Sequence, residues 1–250
     1  MFLKKIFILL SIALFSLSFL TLFNAVSLGA EQSIALIYNG KAASRGGPEA
    51  IASVVQSLGM RVVYFDNPQK LPALLDSAKI CVFGGTDDNL TPLIEQLTPE
   101  VRESLINWIK TGGRYVGICG GAYIASKGWE EAHFTVKTLG LVPLMSAAWI
   151  EQTPSRIITI TWAGKNRPIY YQYGPAFIEN ESVHIEVLSR YNNGKVAALA
   201  YKLGEGVIVL FGPHPEADGT WLIDTPTPLN AENWKSTRDI ADDIFINPYF

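Results

Sequence analysis

From Ser33 onward, short apolar runs alternate with segments of helical periodicity. SIALIYNG reads as a first strand ending at Asn39-Gly40. GGPEAIASVVQSLG follows as a helix, with Pro48 and Glu49 at its start and Gly59 at its end. MRVVYFD is a second strand, and residues 71–77 predict a short helix. AKICVFGG is a third strand that stops at Gly84-Gly85. TPEVRESLINWIKTGG opens with Thr98 as a cap and Pro99 at the first helical position, and it sets Val101, Leu105, Trp108 and Ile109 on one face. RYVGIC is a fourth strand, and GGAYIAS begins another helix. Strand and helix in alternation predict parallel strands, right-handed crossovers and helices on both sheet faces. Ligands in such sheets bind beyond the carboxyl ends of the strands, and Asn39-Gly40, Gly84-Gly85 and Cys119 all fall there.

The second half has a different rhythm. WEEAHFTV, residues 129–136, reads as a helical stretch. After it come RIITITWAG, PIYYQYG, HIEVLSRY, KVAALAYK and GVIVLFG, rich in β-branched and aromatic residues and separated by Gly, Asn and Pro turns. These predict antiparallel or mixed strands added to the parallel core, with a C-terminal helix around residues 231–245 packing back onto it. No linker separates a second domain, so residues 31–250 read as one α/β domain.

Residues 1–30 do not fit this pattern. Lys4 and Lys5 precede an apolar run from Ile6 to Phe23, followed by small residues, which is the order of a secretory signal. The run is also long enough for an uncleaved N-terminal anchor. Either way the domain is expected to be exported, periplasmic or extracellular, with membrane contact only through that segment if it is uncleaved. Removing Lys4 and Lys5 leaves 18 Lys and Arg against 23 Asp and Glu, a net charge of −5. That balance, without basic runs, provides no electrostatic footprint for nucleic acid. No His/Cys/Asp cluster has ligand spacing, so neither a metal nor another cofactor is expected.

The candidate chemistry centres on GGRYVGICGGAYIAS. Gly117, Cys119 and Gly121 form G-x-C-x-G at a strand-to-helix turn, the pattern of a nucleophile elbow that lifts a side chain above the sheet. The start of a helix favours a thiolate, and the N–H of Gly120 is placed to donate to an oxyanion. Of three histidines, His133 and His184 read as surface or packing residues. His214 ends the run VIVLFGPHPE and has Glu216 two residues later to fix its tautomer. A base and its orienter are what a nucleophilic Cys needs. The Gly84-Gly85 loop can supply a second oxyanion donor, or simply make a tight turn. Cys81 lies within the third strand and reads as a small core residue rather than a disulfide partner of Cys119.

These motifs resemble the class I glutamine amidotransferase-like superfamily and, within it, the biotin-protein ligase N-terminal domain family. IALIYNGKAAS resembles the family's opening strand and turn, PIYYQYGPAFIE its mid-domain segment, and VIVLFGPHPE its closing strand. The resemblance runs from about Ser33 to Trp221. It implies a three-layer, flavodoxin-like sandwich with a mostly parallel central sheet. It also implies Cys119 as nucleophile, His214 as base and Glu216 as orienter, with oxyanion donors from Gly84, Gly85 and Gly120. Tyr171, Gly174 and Asn39 are candidate substrate contacts. Biotin ligation is not implied, because no GRGRxx-type adenylate-binding stretch is present. The expected activity is hydrolysis of a small-molecule or peptide-like amide through a thioester. A non-catalytic module that keeps the elbow as a ligand pocket is the alternative, and a redox-active Cys119 is the weaker third reading.

Overall fold

The computed structural model describes residues 32–87, 89–130, 135–148, 155–224 and 236–247, and the architecture is that of the unit Ser33–Phe250. Its described strands are β1 (Ile34–Tyr38), β2 (Arg61–Phe65), β3 (Ala78–Phe83), β4 (Arg114–Ile118), β5 (Gly128–Glu130), β6 (Thr135–Lys137), β7 (Met145–Ala148), β8 (Arg156–Trp162), β9 (Lys165–Tyr171), β10 (Pro175–Phe177), β11 (Glu186–Tyr191), β12 (Val196–Leu203) and β13 (Gly206–Phe211). The described helices are α1 (Gly47–Ser57), α2 (Leu71–Leu74), α3 (Thr91–Ile94), α4 (Pro99–Lys110), α5 (Gly120–Ala125) and α6 (Arg238–Ile246).

The first half folds as its apolar runs predict. β2, β1, β3, β4 and β13 lie side by side in that order, all parallel. This is the doubly wound, flavodoxin-like order. Strands covered on both faces need near-continuous apolar sequence, and all five residues of β1 and all six of β13 are buried. Alternate residues serve opposite faces. Leu36, Cys81, Phe83 and Tyr115 join the face covered by Leu71, Leu105 and Trp108, whereas Ile37, Val82, Val116 and Phe211 join that covered by Ile51, Val55, Ile240 and Ile244. The result is a three-layer α/β sandwich. At the start of α4 the Thr98 hydroxyl accepts the Val101 N–H at 3.4 Å, with Pro99 beside it.

Antiparallel strands extend the sheet beyond β13. β12 pairs antiparallel with β13, and the sheet then forks, one branch running through β10, β7, β5 and β6 and the other through β11, β8 and β9. The helical reading of residues 129–136 is corrected here. Trp129 and Glu130 lie in β5, Thr135 and Val136 lie in β6, and these strands pair with each other; residues 131–134, His133 among them, fall outside the described residues. Gly128, at φ +141°, turns the chain into β5, and parallel pairing of Trp129 with Ser146 of β7 fixes the strand. Tertiary pairing outweighs the helix preference of the glutamates. The C-terminal helix also starts later than expected, at Arg238. Ser236 and Thr237 precede it as coil, and residues 231–235 are outside the described set.

α6 is tied to the sheet by Arg114, at the start of β4. Its guanidinium donates to the carbonyls of Ile244 at 3.1 Å and Asn247 at 2.7 Å, at the end of α6. Charged hydrogen bonds of this kind contribute about 1.5–3 kcal/mol. Arg114→Met is expected to lower the unfolding free energy by about 2 kcal/mol, read as a shift of the urea midpoint at unchanged slope. An unshifted midpoint would show that α6 is held by its apolar face alone.

Candidate active site

Neighbouring strand ends build the site. β4 delivers Cys119, whose N–H donates to the Phe211 carbonyl at 2.8 Å and so extends the β4–β13 ladder by one residue. The backbone then turns at φ 51°, ψ −109°, a conformation a side chain rarely adopts. Its neighbours enforce the turn. The Gly121 N–H donates to the Gly84 carbonyl at 2.9 Å, and the Tyr115 hydroxyl donates to the Gly121 carbonyl at 2.9 Å. A Cβ on Gly121 would run into the Phe83 carbonyl, and one on Gly117 would lie 2.6 Å from the Gly121 carbonyl oxygen. The G-x-C-x-G spacing is therefore a packing requirement.

His214 comes from the adjacent strand, carried past the end of β13 by Gly212-Pro213. Its N–H donates to the Tyr170 carbonyl at 2.9 Å, and its ring lies edge-on to Tyr170 and tilted against Trp221. Nδ1 donates to Glu216 Oε1 at 2.8 Å, and both side chains are almost fully buried. That bond sets the tautomer and leaves Nε2 for the Cys119 sulfur. Burial alone would lower the His214 pKa. The Glu216 carboxylate, then Cys119 by charge and hydrogen bond, outweigh it and push the value up to about 10. The Cys119 thiol also has a backbone acceptor, the Gln172 carbonyl at 3.4 Å.

These groups open onto a pocket of about 230 Å³, lined by Cys119, Gly120, Gly85 and His214 together with Ser44, Thr86, Asp87, Leu90, Tyr123, Gln172 and Tyr173. Gly120 is the first residue of α5, so its N–H has no intrahelical partner. Gly85 packs against the imidazole, since a Cβ there would approach His214 Cε1 to 2.9 Å.

Gly84 lies off the pocket, packed on Ile51, with its carbonyl engaged by Gly121. Tyr171 is buried and donates to the Gly174 carbonyl at 3.0 Å, while Gly174 packs on the Gly212 backbone. Asn39, exposed beyond β1, donates its N–H to Phe65. Tyr171, Gly174 and Asn39 therefore frame the site without lining it, and the flanking Gln172 and Tyr173 face it instead. The two cysteines are free, and they belong to the cores on opposite faces of the sheet. Burial raises the Cys81 thiol far above its ordinary range. His184 is exposed. Among the described residues no group of acidic, His and Cys side chains is arranged to hold a metal.

The fold is shared with solved structures of glutamine amidotransferases. One is a glutamine amidotransferase, 14% identical with a TM-score of 0.54, covering 73% of this chain and 90% of that one, and another is a glutamine amidotransferase from Thermotoga maritima, 14% identical with a TM-score of 0.55, covering 88% of each chain. At that identity the likeness concerns the fold. Residues 35–139 match the family described as "Biotin-protein ligase, N terminal", the family that the motifs of this chain resemble. The biotin–protein ligase of Schizosaccharomyces pombe is 27% identical over 220 residues, covering 76% of this chain. The chain spans about a third, 34%, of the length of that relative. The family match includes Cys119, Gly85 and Gly120 but ends before His214 and Glu216, which the fold brings to them.

The raised His214 pKa carries a stability prediction. A group whose pKa rises on folding holds its proton more tightly when folded. Its contribution is therefore complete below about 6.5, its unfolded value, and is lost as pH climbs towards about 10. The urea-unfolding free energy of the wild type, relative to His214→Ala, is expected to be greatest near pH 6 and to shrink steadily to pH 10. A difference that is flat or grows with pH would contradict the buried ion pair.

Proposed function

We propose that this protein is an amide hydrolase with a Cys119–His214–Glu216 triad, acting on a small or peptide-like amide through a thioester. The observation that carries the reading is the buried imidazole held between Glu216 and Cys119, beside a free Gly120 N–H. In this scheme the Cys119 sulfur attacks the amide carbon, and the carbonyl oxygen becomes an oxyanion held by the N–H groups of Gly120 and Gly85. Each such donor contributes about 3 kcal/mol in enzymes where one has been removed. His214, kept protonated by Glu216, gives its proton to the leaving amine as the C–N bond breaks. The neutral imidazole then takes a proton from water, whose oxygen attacks the thioester and releases the acid and the thiol.

This reading concerns the chemistry at the Cys119 pocket alone; the similarity to the biotin–protein ligase spans a third of that protein. The Lys4-Lys5 pair and the apolar run after it support export as part of the proposal.

The test is alkylation of Cys119 by iodoacetamide near pH 7, followed by turnover of a panel of carboxamides. Cys119 is expected to react faster than a free thiol of ordinary pKa. Its alkylation should slow in His214→Ala, and amide turnover should fall by about 10²–10⁴-fold in that variant. If Cys119 reacts like an ordinary thiol and His214→Ala changes nothing, the catalytic reading fails and a binding module takes its place.

A further inference from the structure

The pocket has a charge character that the triad does not explain. Apart from Cys119 and His214, its one ionisable side chain of formal charge at neutral pH among the described residues is Asp87, and no Lys or Arg lines it. Lys41 and Arg45, on the loop after β1, are exposed and outside the lining. Asp87 is fixed by its backbone. Ala43 and Thr86 form a bridge, the Ser44 N–H donates to Gly85 at 3.0 Å, and the Asp87 N–H donates to Ala42 at 2.9 Å. None of the ion pairs among the described residues engages the Asp87 carboxylate.

A second observation lies on the same short ladder. Ser44 Oγ is buried, lines the pocket and has no hydrogen-bond partner. A hydroxyl carries two acceptor lone pairs, and an ammonium or guanidinium offers only donors. The remaining wall is aromatic. Tyr123 is half-buried, and Tyr173, 43% exposed, is held at the pocket by a left-handed backbone, φ 53°. Tyrosine faces attract cations. A carboxylate, an unmet acceptor and two tyrosines suit a cation; among the described residues the positive group at the pocket is the His214 imidazolium, already paired with Glu216, and no Lys or Arg is there to receive an anion.

We propose that the pocket selects amides that carry a primary ammonium or guanidinium group, with Asp87 as the specificity-determining carboxylate and the Ser44 hydroxyl as a second acceptor. This rests on the amide-hydrolase reading for the chemistry, but the charge preference belongs to the pocket itself. At about 230 Å³ the site is smaller than those that enclose drug-sized ligands. It takes a small cationic amide, or the end of a longer one.

Methanethiosulfonate reagents test the preference without requiring turnover. Cys119 is labelled with aminoethyl (cationic) and sulfonatoethyl (anionic) reagents, each rate being normalised to that of a small free thiol, with Cys119→Ser as the blank. The expected cation-over-anion ratio is at least about fivefold. Asp87→Asn should remove most of it and Asp87→Lys should reverse it. A ratio unchanged by Asp87→Asn, or a preference for the anion, overturns the proposal. Absence of amide turnover alongside a charge-dependent labelling ratio contradicts only the hydrolase reading, and a Cys119 inert to both reagents overturns both.

Discussion

The site depends on one residue being held in a conformation it would not choose. Cys119 sits at φ 51° and ψ −109°, a region that costs a non-glycine residue about 1–3 kcal/mol. In an unstrained continuation of β4 its side chain would follow the strand's alternation into a layer of the sandwich. The strained turn instead brings the sulfur to the pocket, within reach of His214 and one residue from the free Gly120 N–H. The surroundings over-determine the turn. Phe211 receives the Cys119 N–H, Gly84 receives the Gly121 N–H, and the buried Tyr115 hydroxyl holds the Gly121 carbonyl. The rigid core of β3, β4 and β13 supplies the energy that the elbow stores.

The same sheet brings distant parts of the chain together. Cys119 and His214 are far apart in sequence, yet they are neighbours because β13 inserts next to β4. Ser44 and Gly85 reach the pocket from the ends of β1 and β3 by the same logic. The antiparallel extension closes the remaining side. Tyr170 binds the His214 N–H, Gly174 rests on Gly212, and the Tyr191 hydroxyl donates to Pro175 at 2.8 Å. Those contacts hold Gln172 and Tyr173 over the sulfur. Added strands thus become a wall of the pocket, and the Gln172 carbonyl reaches the Cys119 sulfur from it.

The parallel half was legible because a strand buried on both faces must be apolar throughout, and because Gly, Pro and Thr98 punctuate its helices. The grouping of Cys119, His214 and Glu216 was legible for the same reason, since Cys119 directly follows β4 and the other two lie on the short segment after β13. The sequence was misleading where local preference and tertiary pairing conflict. Trp129 to Val136 has helix-forming glutamates, but Ser146, far along the chain, fixes Trp129 in a strand. Strands of three or four residues, such as β7 and β10, are too short to show a period. In YYQYGPAF, Tyr170 and Tyr171 end β9 and are buried, whereas Tyr173 lies past the strand, where a left-handed backbone takes it to the pocket. Ser44 and Asp87 carried no motif, because their role comes from a two-residue bridge between loops.

Everything proposed for the chemistry requires that the acyl group pass through the Cys119 sulfur. The most direct measurement is the intact mass of the protein, and of its Cys119 peptide, quenched in acid during reaction with a cationic carboxamide. The account predicts an added mass equal to the acyl group on Cys119, removed by hydroxylamine and absent from Cys119→Ala. Turnover of the amide that persists in Cys119→Ala would contradict it.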